Sequence, residues 1–578
     1  MFLSKKKYTA ILLPLCLISF LLASCDLFGG TTPPKQVLVK APAKKQIYTI
    51  PVTGVTDFST LDPALAHDTT SNSAIQMIYT GLVQLDDKLQ IQPQLAQSWS
   101  QSSDGMTWTF HLRPHLEFSD GTPLTSADVA YSIDRALQPA TRSTVAPLYL
   151  GLIRDADQMQ AGRVQTLIGD SLQTPNANTL IISTRKKAAY FLSMLTVPCS
   201  YVVEKSLVTK YGAAFTDHLA DGGGAGPFKV AQYTHGKAIT FVPNPNYYKA
   251  KPQLQQVIMA FYPSDDAAYQ AYQANRVDTT GVPISTFASD KKRKDFVQVP
   301  QLWINYYTMN YLAKPFDNIR IRQAFALAIN KQDIATNVWK GTVLPTNHIV
   351  PQGMNGYNPN LNGPDGTQSL SGNPTQAQAL LQQGLKEEGW KSVAQMPAIT
   401  LTYASGVSGA DQEVAALVQM WQQVLNVKVA TSTFDYNTLL DKVTASTGNA
   451  EGLQMWGLAW PAEYPDAHDW LSLQFGQGMV NNNMNYGQNV TSDVAKQQAT
   501  QQQLDNADMN FNADARIQSY QQAEQQLVND VAWLPMDQIT ANFLRSSNIV
   551  GMVDNAQGLI PPDDWASIYR VQLTTQSS

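Results

Sequence analysis

Cysteine is scarce in this chain. Cys16, Cys25 and Cys199 are all that occur among 578 residues, and two of them lie at the extreme N-terminus, so a disulfide framework is excluded and the fold must hold by burial. Charge is scarce as well, with charged side chains at 15 % of the sequence against about 25 % in an ordinary globular protein. Gln, Asn, Ser and Thr fill the surface positions instead. The net charge is −5, so the electrostatic footprint of a nucleic-acid binder is missing. Past the N-terminus no stretch reaches the ~18 consecutive apolar residues of a membrane span. Catalytic patterns are lacking too. Gly406-Val407-Ser408-Gly409 is followed by Ala410 and so lacks the last glycine of a nucleophile elbow, no glycine-rich loop leads into Lys-Ser/Thr, and no His-Glu-x-x-His occurs. Without a paired nucleophile and base or a metal set, a secreted hydrolase is disfavoured.

What is present begins with an address. Lys5-Lys6-Lys7 precedes an apolar run over 10–22 that is short for a permanent membrane helix, which together read as a secretory signal peptide over 1–24. The run ends in Leu22-Ala23-Ser24-Cys25, which resembles the bacterial lipobox, so Cys25 is the expected lipidated first residue of the mature chain. Two acyl chains on one cysteine anchor stably where one would be marginal. Residues 25–46, with Thr-Thr-Pro-Pro and Ala-Pro-Ala-Lys-Lys, read as a flexible tether, and the folded body is expected from Ile47. Cys199, the remaining thiol, is expected as a small buried hydrophobe.

With 44 % hydrophobic residues the body has material for several cores. A strand is expected over 47–52 and a helix over 72–82, where Ile75, Ile78, Tyr79 and Leu82 share a face. Residues 99–112 alternate around Ser103-Asp104-Gly105 as a β-hairpin does. Thr125 is the expected N-cap of a helix with Asp128 at its third position. Gly222-Gly-Gly-Ala-Gly-Pro227 marks a segment boundary, followed by a β-rich run to 243. From Tyr306 helices are expected to dominate, among them 320–334 and 374–388. Strands over 399–403 and 427–433 around a helix over 411–425 make a βαβ unit and imply a parallel sheet. The class is α/β in more than one lobe.

Several groups have two readings. His111 and His115 stand four apart, but strand pattern and Pro114 make them an ordinary surface pair rather than zinc ligands. His468 and Asp469 beside Asp466 form either a metal cluster or a helix start whose acids favour the positive end of the helix dipole. Trp456, Trp460 and Trp470 form either a core or a stacking platform.

In chain order, Thr60-Leu61-Asp62-Pro63-Ala64, Gln94-Leu95-Ala96-Gln97-Ser98-Trp99, Phe118-Ser119-Asp120-Gly121-Thr122-Pro123-Leu124-Thr125, Gly226-Pro227-Phe228, Asn244-Pro245-Asn246-Tyr247, Arg276-Val277-Asp278 and Pro315-Phe316-Asp317-Asn318-Ile319-Arg320 span nearly the whole body. Together, behind a lipobox, they resemble the extracytoplasmic solute-binding proteins of oligopeptide and dipeptide ATP-binding-cassette (ABC) importers. That resemblance implies a two-lobed periplasmic-binding-protein-like α/β fold of type II, with an extra domain in the first lobe. It implies lobe I over 47–82, 213–305 and 540–578, the extra domain over 83–212, and lobe II over 306–539. The motifs themselves are expected to be architecture. In the family a peptide lies extended between the lobes, and a carboxylate in a Trp-x-x-Asp-Tyr-like segment holds its ammonium group. The matching stretch here is Trp460-Pro461-Ala462-Glu463-Tyr464, with Glu463 where the family has Asp. By motif order the other wall of the cleft comes from Asp68, Thr69, Thr70, Ser71 and Asn72, whose plainer role is a helix cap. Trp456, Trp460 and Tyr464 complete the implied site. The implied function is capture of short peptides for delivery to a membrane permease and its ATPase, by a monomer held at the extracytoplasmic face through Cys25. No bond is made or broken, and neither cofactor nor metal is implied. The alternative is a cello-oligosaccharide or other sugar receptor of the same fold, with the tryptophans stacking on sugar rings.

Overall fold

The computed structural model describes residues 36–575; the expected signal peptide, Cys25 and the first part of the tether lie outside the described residues. The chain divides into two compact units. The small one comprises residues 1–39 and 572–578, and its described part is β-strand. The large one, Lys40–Val571, holds everything that follows.

Order in the large unit begins earlier than Ile47. Ala41 and Gln46 are buried, and Ala43–Lys45 is a 3-10 turn. Gln46 is the reason: its side chain donates to Ala41 O (2.7 Å) and Arg570 O (2.9 Å) and accepts from Arg570 N (2.8 Å). A polar side chain pairing main-chain groups far away in sequence has no periodicity to betray it.

Three sheets organise the unit. In the first, Ile47–Val52 runs parallel to Gln256–Phe261, which continues antiparallel into Ala238–Pro243 and Phe228–Thr234. The second is antiparallel, in the order Ala96–Gln101, Thr107–Leu112, Thr179–Ser183, Leu172–Asn176, and belongs to the segment expected as the extra domain. The third and largest is mixed and seven-stranded. In it Thr279–Gly281, Leu534–Arg545, Phe296–Met309 and Met455–Pro461 pair antiparallel in that order, and the βαβ unit of Ile399–Ala404, Ala410–Leu425 and Val429–Phe434 adds the parallel edge.

Two boundaries expected between lobes, 305/306 and 539/540, fall inside single strands. Phe296–Met309 is 14 residues long and Leu534–Arg545 is 12, and they pair with each other from Phe296 to Tyr307. Both points coincide with irregularities in that ladder, whose register shifts between Asn305 and Tyr306 and between the pairs Pro300–Thr540 and Ile304–Gln538, while the strands themselves continue past them. Helices nevertheless dominate the stretch after Tyr306, as expected, from Ile319–Leu327 to Ala513–Asp530. The helix expected over 320–334 is two helices, Ile319–Leu327 and Lys331–Asn337, because Asn330 caps the second with its own side chain.

The motif residues hold the frame, as expected. Thr125 and Asp128 form a reciprocal capping box on the helix Ser126–Leu137. Asp62 pairs with Arg135, and buried Asn244 donates to Gly226 O at 2.9 Å. Arg322 is fully buried, with Asp530 O, Phe316 O and Asp493 around its guanidinium. The glycine run has a steric cause: Gly226 N donates to Ile78 O at 2.8 Å, and a Cβ on Gly224 would collide with that same carbonyl at the end of the helix Thr69–Ile78.

Candidate functional site

The segment 460–470 begins where the third sheet ends. Trp460 lies opposite Ile304 in the ladder, and Ala462 N donates to Leu302 O at 2.8 Å, so the long strand Phe296–Met309 fixes where the next residue, Glu463, leaves the sheet. The chain then folds back on itself. Asp469 is fully buried, and its Oδ2 accepts from the Glu463 main-chain N–H (3.0 Å) and from Trp460 Nε1 (3.3 Å). Asp466 caps the short helix Ala467–Trp470 by accepting from His468 N at 3.0 Å, and it is neutralised by a bidentate pair with Arg516. Here the helix-start reading holds. Among the described residues no group of three or more His, Cys, Asp or Glu is placed to hold a metal ion.

Glu463 is left in an unusual position. It is half-buried, and among the described residues no donor or basic side chain reaches its carboxylate. Burial pushes its pKa up. Asp469 is raised well above the usual carboxylate range, by burial first and by the charge of Glu463 next. Two acids thus share one corner with no cation to offset them. The floor of that corner is aromatic: the Tyr464 ring meets Tyr149 edge-on at 6.2 Å and Tyr190 in a stack at 6.4 Å, and its hydroxyl lies 2.5 Å from His468 Nδ1. Burial depresses His468 to about 3, so its ring is neutral.

The other expected wall divides. Asp68 is the N-cap of Thr69–Ile78, accepting from Ser71 N at 2.8 Å, and Ser71 is fully buried beside Ser59; both are engaged by the cap. Asn72 is half-buried, with its Oδ1 enclosed and unpartnered. Thr69 and Thr70 do line a cavity of about 470 Å³, with Ile50 and Val52 of the first sheet, Gln301, and Arg545 facing them. Gln301 of that lining is followed by Leu302, which accepts the N–H of Ala462, whereas Glu463 is not itself among the lining residues. Arg545 at the end of its strand is paired with Asp554. Arg545 did not stand out in the sequence, and Asp469 did so only as part of a metal cluster or helix start, because each owes its place to a fold-back hundreds of residues or one tight turn away.

The tryptophans separate as well. Trp456 is 1 % exposed and Trp470 is 0 % exposed, both in the core beneath the sheet. Trp456 is therefore no platform for a ligand: its side chain alternates to the covered face of the strand. Only Trp460 is partly exposed, and its indole N–H is already committed to Asp469.

Residues 90–482 match the model of the middle region of the bacterial extracellular solute-binding proteins, family 5. This chain belongs to that family. Among family relatives it is 24 % identical over 556 residues to the oligopeptide-binding protein OppA of Bacillus subtilis, covering 95 % of this chain and 97 % of that one. It is 27 % identical to the probable deoxycholate-binding periplasmic protein YgiS of Escherichia coli, over 77 % of this chain and 81 % of that one. The unliganded open form of the murein tripeptide binding protein MppA superimposes with a TM-score of 0.78 at 24 % identity, covering 93 % of this chain and 99 % of that one. The fold is thus the two-lobed type II solute-binding fold of family 5. No helix of the described residues is long and apolar enough to cross a membrane.

Proposed function

We propose that this family 5 protein is the peptide-capturing receptor of an ABC importer, anchored through a lipid on Cys25 at the extracytoplasmic face and acting as a monomer with a membrane permease and its ATPase. The observation that carries the ligand class is the uncompensated carboxylate of Glu463, beside a second acid and next to the strand that lines the cavity. An N-terminal ammonium supplies three donors and one positive charge to such a corner. A sugar brings no charge to that corner, and with Trp456 and Trp470 buried it meets no bank of exposed aromatic planes. A bile acid such as deoxycholate, which the name of one relative carries, would bring a negative charge to two acids. The extended cavity, with strand Ile47–Val52 along it, suits a ligand that pairs its own backbone.

Calorimetry on the purified full-length protein tests this with Ala-Ala-Ala, Lys-Lys-Lys and Ala-Phe-Ala, their N-acetylated forms, cellotriose and deoxycholate. The expected result is binding of free tripeptides, weakened by N-acetylation. Binding of cellotriose or deoxycholate in place of the peptides overturns the ligand class. Incorporation of labelled fatty acid, abolished by Cys25→Ala, tests the anchor.

A further inference from the structure

The acid behind Glu463 does more than support the chain. We propose that Asp469 is the second acidic member of the ligand anchor: it positions Glu463 and gives up a proton when a cation is captured. This rests on the peptide-receptor reading of the site.

The geometry divides the two oxygens of Asp469 between two tasks. Oδ2 takes both available donors, the Glu463 main-chain N–H at 3.0 Å and Trp460 Nε1 at 3.3 Å, so it sets where the Glu463 side chain starts. Oδ1 is enclosed and has no partner. An enclosed carboxylate oxygen with nothing to accept from is where a proton resides, and the neighbouring charge of Glu463 reinforces that. The charges facing the pair do not change this. From the same segment, Asp466 is cancelled by Arg516, and His468 is neutral. Tyr464 and, from the extra domain, Tyr149 and Tyr190 are phenols whose pKa values burial drives upward, so they stay protonated. Glu463, less buried than Asp469, therefore carries the negative charge of the empty site and Asp469 the proton. A cation arriving at Glu463 stabilises the doubly ionised pair, and the Asp469 proton leaves to solvent as it binds.

Ala-Ala-Ala binding to the full-length protein is measured by calorimetry from pH 5 to 8, in phosphate and in Tris, so that the difference in buffer ionisation heat counts protons. The parent is expected to release protons on binding, with affinity rising by up to about tenfold per pH unit where the pair titrates. Asp469→Asn keeps an oxygen for the two donors but has no proton to give. Its affinity is expected to change less than about threefold over the same unit, with proton release at least halved. Asp469→Ala, which loses the acceptor, is expected to weaken binding about tenfold at every pH. If Asp469→Asn matches the parent in proton count and pH profile, Asp469 is structural only and the inference fails while the receptor reading stands. If the parent binds none of the peptides, the receptor reading fails and takes the inference with it.

Discussion

At the scale of single residues, the same segment holds side chains of opposite kinds. Glu463 is reachable and unpartnered, so Glu463→Gln is expected to lose the charge-assisted part of ammonium binding, about 1.5–3 kcal/mol, or roughly a 10- to 100-fold higher Kd for a free tripeptide by calorimetry. Its fold stability should be unchanged within about 0.5 kcal/mol. Trp456, seven residues earlier, is expected to behave in the reverse way. Trp456→Ala removes a fully buried ring and should cost about 3–5 kcal/mol in urea unfolding. Loss of peptide affinity with intact stability would instead make Trp456 a ligand contact. Motif order pointed to Thr69 and Thr70, which line the cavity, and to Glu463, whose carboxylate is left without a partner, because the motif travels with the local chain. It did not point to Asp469 or Arg545: a buried acid reads in sequence like any helix-start acid, and only its lack of a cation distinguishes it.

At the scale of elements, local chemistry was a good guide wherever one residue does one job. Thr125 and Asp128 satisfy each other's main-chain and side-chain groups across one turn, which needs nothing from the rest of the molecule. Thr125→Ala is expected to lower stability by about 1 kcal/mol. The glycine run before Phe228 reads as punctuation, yet its reason is a distant one, the carbonyl of Ile78. Gly224→Ala should therefore cost more than a loop glycine would, about 1–3 kcal/mol in urea unfolding. A cost below about 0.5 kcal/mol would mean that the helix end moves aside. The break between Ile319–Leu327 and Lys331–Asn337 was missed because helix periodicity persists across Asn330, and the cap that ends it is a side-chain choice.

At the scale of the whole molecule, pH acts through buried acids. Glu524 is fully buried with its Oε1 accepting from Ile349 N (2.9 Å) and Val350 N (2.8 Å), and burial raises its pKa to about 8. Unfolded, it would titrate near 4.3. A folded pKa above the unfolded one gives a contribution that is complete below about pH 4 and is lost as pH rises through about 8. Asp508, held up to about 7 by burial, acts in the same sense. Thermal unfolding of the parent is thus expected to show a falling Tm from pH 5 to 8, and Glu524→Gln, which keeps the acceptor, a flatter profile and a higher Tm at pH 8. Identical profiles would show that Glu524 is not the titrating group. What the sequence by itself determined is the class, the family and most elements, since these depend on periodicity, capping and short motifs carried by neighbouring residues. What only the tertiary structure decided is where the body starts, how two long strands run through the expected lobe boundaries, and which acids are left without a partner. Those are outcomes of burial and of pairing between distant segments, and burial is a property that no residue possesses until the chain has folded around it.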